Sequence, residues 1–242
     1  MIHFDYKIYK MYDVLSKEEY DKVSELVNNF NIDLKNVTSP LGFLQWSNKI
    51  QNAFKLKYPD RYNRMVNNNS YNYKDYQCLA ELNKEIGVDE HDYFNFLMTY
   101  RTEDLMNSRI VKLYDTAFRN ILKDVFKKEV IYDKVLFGHF NIYPKNSFIV
   151  NHTDGPMADD RYFTSLFFLN SGRKYEDGSL LKIYTKNGVV DVIPDFNDIV
   201  LLDHMNYNCR HEVTENLIDG VRYSLYTPFK LDDYNNKLKQ DI

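Results

Sequence analysis

The chain has 242 residues, enough for one large domain with a real core. A hydrophobic fraction of 44% and an aromatic fraction of 16% exclude a disordered chain, which lacks the apolar surface to fold. A formal net charge of -4 argues against broad phosphate-backbone binding, and two cysteines, Cys78 and Cys209, are too few for a disulfide framework.

The opening "MIHFDYKIYK" is too charged and aromatic for a signal peptide, and no later apolar run is long enough to span a bilayer. A soluble cytoplasmic protein is expected, with no membrane and no nucleic-acid partner. The first residues read as a short strand followed by a helix. Ser16 caps that helix, Glu19 completes a capping box, and Tyr20, Val23, Leu26 and Val27 form its apolar stripe. Residues 31–75 are less regular: Pro40 and Pro59 punctuate them, and "NNNSYNY" at 67–73 reads as loop. From about Tyr76 to Lys128 the helical period returns, with Gly87 as a C-cap and with Leu113, Ala117, Ile121 and Phe126 sharing a face.

At Val130 the period changes from helical to alternating. The runs "KVLFGHFNIY", "SFIVNHTD", "FTSLFFLN", "SLLKIYTKN", "GVVDVIP", "DIVLLDH", "CRHEVTE" and "VRYSLYTPF" read as short strands separated by Gly, Pro, Asn and Asp. Their spacing predicts an antiparallel sandwich or barrel of jelly-roll type. The fold class is thus α+β with a mainly β core and a largely helical N-terminal half packed against it. One domain spans 1–242: a mainly helical part at 1–129, the β core at 130–230 and a tail at 231–242.

Chemistry concentrates in the β core. His152 and Asp154 are two positions apart, so on a strand they point the same way and deliver an imidazole and a carboxylate to one side of a sheet. A carboxylate among apolar neighbours is costly unless something compensates it, and a metal cation would. His211 is the strongest candidate for a third ligand; two histidines and one carboxylate make a facial triad that holds Fe(II) and leaves positions open. The competing reading of the pair is a buried His–Asp hydrogen bond of structural purpose. His204 competes as a ligand but ranks below His211, and Cys209, two residues before His211, reads as a small apolar filler. Downstream, Arg222, Ser224 and Tyr226 share a strand face, where a guanidinium can grip a carboxylate bidentately and the Ser224 hydroxyl adds a donor. His139 and Asn141 alternate in phase with Tyr143, facing either the interior or a solvated surface.

An ordered series runs through this core: "YP" at 143–144, "HTD" at 152–154, "RYFTSLFFLN" at 161–170, "DGSLLKIY" at 177–184, "VIPDFNDIVLLD" at 192–203, "RHEV" at 210–213 and "GVRYSLY" at 220–226. It resembles the prolyl-hydroxylase-like iron(II) and 2-oxoglutarate-dependent dioxygenases over roughly Phe137 to Phe229. The resemblance implies a double-stranded β-helix, iron bound by His152, Asp154 and His211, and 2-oxoglutarate held by Arg222 with Tyr143 adding a hydrogen bond. It further implies O2 as cosubstrate, succinate and CO2 as coproducts, and hydroxylation of an aliphatic C–H of a prolyl-type protein residue, a free amino acid or a small metabolite. Some members carry a second tyrosine where this chain has Phe168, and Asp177-Gly178 replaces a Gly-Gly pair. Asp154 stands where related halogenases have a small residue, and Pro228 where nucleic-acid demethylases show a second arginine, so both of those activities are disfavoured. The competing class is a non-catalytic β-barrel in which Cys209 or His204 completes a four-ligand zinc site.

Overall fold

A computed structural model describes residues 2–5, 8–11, 16–18, 21, 25, 34–36, 38–40, 47–87, 97–100, 139–154, 163–185, 187–196, 198–203 and 209–229. The strands are β1 (Ile2–Asp5), β2 (Ile8–Met11), β3 (Thr38–Pro40), β4 (Ser70–Asn72), β5 (Leu97–Tyr100), β6 (His139–Tyr143) and β7 (Ile149–His152). They continue as β8 (Phe163–Phe168), β9 (Leu181–Thr185), β10 (Gly188–Val192), β11 (Ile199–Asp203), β12 (His211–Val213) and β13 (Arg222–Phe229). Three helices are fully described: α1 (Asn48–Lys57), α2 (Pro59–Asn68) and α3 (Tyr73–Ile86). None of the described helices is long and apolar enough to cross a membrane.

Every described strand pair is antiparallel. A seven-stranded sheet has the order β1-β2-β11-β8-β13-β6-β5, and a four-stranded sheet the order β10-β9-β12-β7. From β6 onward the chain passes repeatedly between these two sheets. Their facing sides enclose one apolar cluster: Tyr143, Leu166, Phe168, Val200 and Leu202 from the larger sheet meet Leu181, Ile183, Val192 and Val213 from the smaller, with Cys209 beside them. Period-2 alternation explains this membership, since Leu166 and Phe168 share a face and so do Val200 and Leu202. At roughly 1.5–3 kcal/mol for each fully buried large apolar side chain, this layer is the main source of cohesion between the sheets.

Each of the eight alternating runs contains a strand, β6 through β13, as the sequence predicts. The N-terminal part is less purely helical than its periodicity suggests: β1, β2 and β5 belong to the large sheet, with β2 pairing with β11 and β5 with β6. In the stretch read as irregular, α1 and α2 form with few buried residues, Ile50 and Phe54 in one and Met65 in the other, so their apolar stripes are too sparse to register. Pro59 does more than punctuate. It stands at the first position of α2, where its missing N–H costs nothing. The predicted Gly87 C-cap is present, left-handed at φ 56. Lys17, Glu18, Asp21 and Glu25 are helical. Glu19, Trp46, His204, the 113–126 helix and the 231–242 tail lie outside the described residues.

Asn72 caps α3 through a capping box with Asp75, and the buried Asp75 carboxylate also receives Arg61, at 3.2 Å, and Arg64. The helix is tied to the core where it matters for the site. Tyr76 donates its hydroxyl to the Lys145 carbonyl at 2.5 Å, fixing the turn that leaves β6 just after Tyr143. Burial raises the Tyr76 pKa, so this donor stays protonated.

Candidate active site

β7 ends at His152, and Asp154 follows two residues on, outside the strand but still on the same side. β12 begins at His211, which stands directly opposite His152 in the antiparallel ladder. The ladder therefore juxtaposes the two imidazoles, whose ring centroids are 4.3 Å apart. Asp154 Oδ1 lies 3.3 Å from His152 Nε2 and 3.7 Å from His211 Nε2, and one ligand atom from each residue falls within 4.8 Å of the others. His211 is buried, while His152 and Asp154 are partly open to solvent, so the cluster has a covered side and an approachable one.

The outer contacts of these three side chains decide which atoms face inward. His152 Nδ1 lies 2.7 Å from the Val150 carbonyl, and His211 Nδ1 lies 2.9 Å from the Cys209 carbonyl. A carbonyl only accepts, so each Nδ1 carries a proton, and the neutral form of each ring presents its Nε2 lone pair to the cluster. Thr164 Oγ1 donates to Asp154 Oδ2 at 2.9 Å, leaving Oδ1 toward the histidines. Burial alone pushes the His152 imidazole down, but the hydrogen bond and charge of Asp154 outweigh it and leave its pKa raised. With both imidazoles neutral, two Nε2 atoms and one carboxylate oxygen, oriented from behind, are a donor set that would fit a divalent iron.

Arg222 lies at the start of β13, opposite Tyr143 on β6, and its guanidinium is 1% exposed. Its Cζ sits 4.4 Å from the Tyr143 ring centroid and 5.2 Å from that of Phe168. Burial holds its pKa below the usual arginine value, and hydrogen bonding to Tyr143 offsets part of this. A desolvated cation normally sits beside a carboxylate. Here two ring faces and a phenol provide partial compensation, and Nε and Nη1 have no hydrogen-bond partner among the described residues. The Ser224 hydroxyl, one step along the same face, is likewise buried and unpartnered, opposite Asn141, whose Oδ1 is also unpartnered. Donors left open on a buried guanidinium and hydroxyl are groups that a carboxylate could satisfy.

The residues singled out in the sequence therefore fall into two groups, His152, Asp154 and His211 in one and Arg222, Tyr143 and Ser224 in the other, linked by the charge of Asp154 acting on the Tyr143 phenol. Cys209 offers its backbone carbonyl to His211 while its side chain packs in the apolar cluster, and the group of potential metal ligands comprises three residues among those described. Thr164 escaped notice in the sequence, although its position in phase with Leu166 and Phe168 marks it as a polar group on the inner face. Phe168 is not merely a lost hydroxyl, since its ring lies near the Arg222 charge.

A sequence model described as the 2OG-Fe(II) oxygenase superfamily matches residues 138–229. A comparison with curated protein sequences finds no match. Among solved structures, the chain is similar to a prolyl-4-hydroxylase from Pseudomonas putida, with 16% identity over 93% of this chain and 92% of that one and a TM-score of 0.54. It is also similar to a viral collagen prolyl hydroxylase from Paramecium Bursaria Chlorella virus-1, solved as a 2OG complex, with 10% identity over 92% and 94% of the two chains and a TM-score of 0.50. At these identities the likenesses speak for the fold. The match over residues 138–229 makes this stretch similar to the 2OG-Fe(II) oxygenase superfamily, a similarity that implies Fe(II), 2-oxoglutarate and O2, and His152, Asp154 and His211 form a potential iron site among the described residues.

Proposed function

We propose that the protein is an Fe(II)- and 2-oxoglutarate-dependent hydroxylase, and that the passage of strands β6 to β13 between two sheets is that of a double-stranded β-helix. His152, Asp154 and His211 hold the iron. Arg222 grips the distal carboxylate of 2-oxoglutarate, assisted by the Tyr143 and Ser224 hydroxyls. The observation that carries this reading is the buried Arg222, whose Nε and Nη1 point at no acceptor among the described residues while a three-ligand cluster lies in the same inter-sheet space. When bound, iron supplies the oxygen chemistry that converts substrate C–H, 2-oxoglutarate and O2 into the alcohol, succinate and CO2.

The chain's own residues prepare that chemistry. The Val150 and Cys209 carbonyls hold the two imidazoles in the tautomer that offers Nε2, and Thr164 holds Asp154. Arg222 provides two N–H donors in a fixed fork, which matches a carboxylate better than a point charge does. The apolar layer of Leu166, Phe168, Leu181 and Ile183 keeps water from the ligand's flank, which strengthens every polar contact there.

The substrate is an aliphatic C–H of a prolyl-type protein residue, a free amino acid or a small metabolite, and the similarity to the Pseudomonas putida prolyl-4-hydroxylase ranks prolyl substrates first for screening. The working unit is the whole chain, 1–242, because β2 and β5 pair with the core strands β11 and β6. The test is anaerobic: Fe(II) and then 2-oxoglutarate are added to metal-free protein while the visible charge-transfer band of the chelated 2-oxo acid is followed. A band that is lost in Arg222→Ala supports the assignment. Absence of the band in wild type, with tight zinc binding in its place, overturns it in favour of a non-catalytic barrel.

A further inference from the structure

Arg222 is held by more than its own strand. The β8–β13 ladder pairs Ser224 with Phe168, and beyond it one backbone hydrogen bond remains, from the Leu169 amide to the Tyr223 carbonyl at 3.2 Å. Continued by one step, the ladder would set residue 170 against Arg222. Asn170 takes over there with its side chain: Nδ2 donates to the Val221 carbonyl at 2.9 Å, and Oδ1 accepts from the Tyr223 amide at 2.5 Å. One carboxamide thus supplies both the donor and the acceptor that a strand residue's backbone would have supplied, on either side of Arg222.

A second asparagine works from the other edge. Asn216, fully buried, donates Nδ2 to the Tyr143 carbonyl at 2.9 Å and to the Gly220 carbonyl at 2.7 Å. It joins the end of β6, whose tyrosine lies against the guanidinium, to the residue two before Arg222. Arg173 closes the set by donating Nη1 to Asn216 Oδ1 at 3.2 Å, which fixes the amide so that Nδ2 faces the two carbonyls. None of the three belongs to the metal-ligand group; Asn170 and Asn216 act on the backbone that carries Arg222 and Tyr143, and the Arg173 charge also bears on Arg222 directly.

We propose that Asn170 and Asn216, with Arg173 locking Asn216, are positioning residues that fix the separation between the Arg222 guanidinium and the metal cluster and thereby select the chain length of the 2-oxo diacid. The inference rests on the reading of Arg222 given above. A rigid cation at a set distance accepts the five-carbon diacid and excludes its six-carbon homologue; a cation on a loosened strand end accepts both. A site holds its geometry only when the residues behind it are themselves fixed, and the hydrogen bonds of these two amides fix the end of β13 where the regular β8 pairing gives out.

The test uses full-length, Fe(II)-loaded protein without oxygen, titrated separately with 2-oxoglutarate and 2-oxoadipate, with Fe(II) affinity measured in parallel by chelator competition. Asn170→Ala and Arg173→Ala are the variants, since Asn216→Ala empties a fully buried site and risks the fold. Losing the Asn170 amide's bonds, or the Arg173 bond that holds Asn216, is expected to weaken 2-oxoglutarate about tenfold and to lower its preference over 2-oxoadipate about fivefold, with Fe(II) affinity unchanged. Arg173→Lys, which keeps a donor, is expected to restore most of that preference. The proposal is overturned if both alanine variants discriminate between the diacids as wild type does while Arg222→Ala loses both ligands. It is equally overturned if Fe(II) and both diacids weaken together, the mark of a general structural support. Should Arg222→Ala bind 2-oxoglutarate normally, it is the underlying assignment of Arg222 that fails.

Discussion

Thr164 Oγ1 donates to Asp154 Oδ2 at 2.9 Å, so a residue of the larger sheet orients a carboxylate that follows a strand of the smaller one. In Thr164→Val, which keeps the shape and removes the hydroxyl, Asp154 loses the anchor on Oδ2. Contacts of this kind are worth about ten- to a hundredfold in metal affinity. Anaerobic chelator competition should therefore show Fe(II) binding weakened by at least about tenfold, with the melting temperature close to wild type.

The two groups should separate under mutation. His211→Ala is expected to abolish Fe(II) binding and turnover together. Arg222→Ala should retain Fe(II) and weaken 2-oxoglutarate by roughly ten- to a hundredfold, the range for lost hydrogen bonds to a charged group. Thermal unfolding reads the first effect without any assay: Fe(II) at about a hundred times its Kd stabilises wild type by about 2.7 kcal/mol and should leave His211→Ala unshifted.

Cys209 distinguishes a three-ligand site from a four-ligand one. Its thiol packs among apolar side chains and its carbonyl, which any residue would supply, receives His211. Cys209→Ala should cost about 1 kcal/mol of stability through lost packing and leave Fe(II) affinity within about twofold of wild type. A large loss of metal affinity in this variant would restore the four-ligand zinc reading.

Gly178 pairs with Asn216 in an isolated bridge, and a Cβ there would stand 1.9 Å from the Glu215 carbonyl oxygen at a φ of +70. Backbone cannot yield as a side-chain tip can. Gly178→Ala is expected to destabilise by roughly 3 kcal/mol, combining strain with overpacking, against about 1 kcal/mol for Gly87→Ala, where a Cβ meets nothing within 4 Å. Urea unfolding of the two variants makes the comparison.

The clustering of His152, Asp154 and His211 and the inward side of Arg222 were legible because strand periodicity fixes which side chains share a face, and His152, His211 and Arg222 all lie on short alternating runs. Alternation also exposed the eight core strands. Asn170, Arg173 and Asn216 left no trace of their role, since each lies in a connection and works through backbone groups far away in sequence. Helices α1 and α2 were missed for a different reason: they bury so little that tertiary contact and capping, such as Ser47 accepting from the Ile50 amide, define them in place of an apolar stripe.

The N-terminal strands flank the family-defining stretch on both sides, β2 along β11 and β5 along β6. Cut at residue 138, the matched region would display two long rows of unsatisfied N–H and C=O groups, each a template for pairing with another copy. What sequence comparison delimits as a module is thus not a portable one. Grafting this oxygenase core onto another scaffold, or trimming it for expression, requires carrying residues 2–11 and 97–100 along with it.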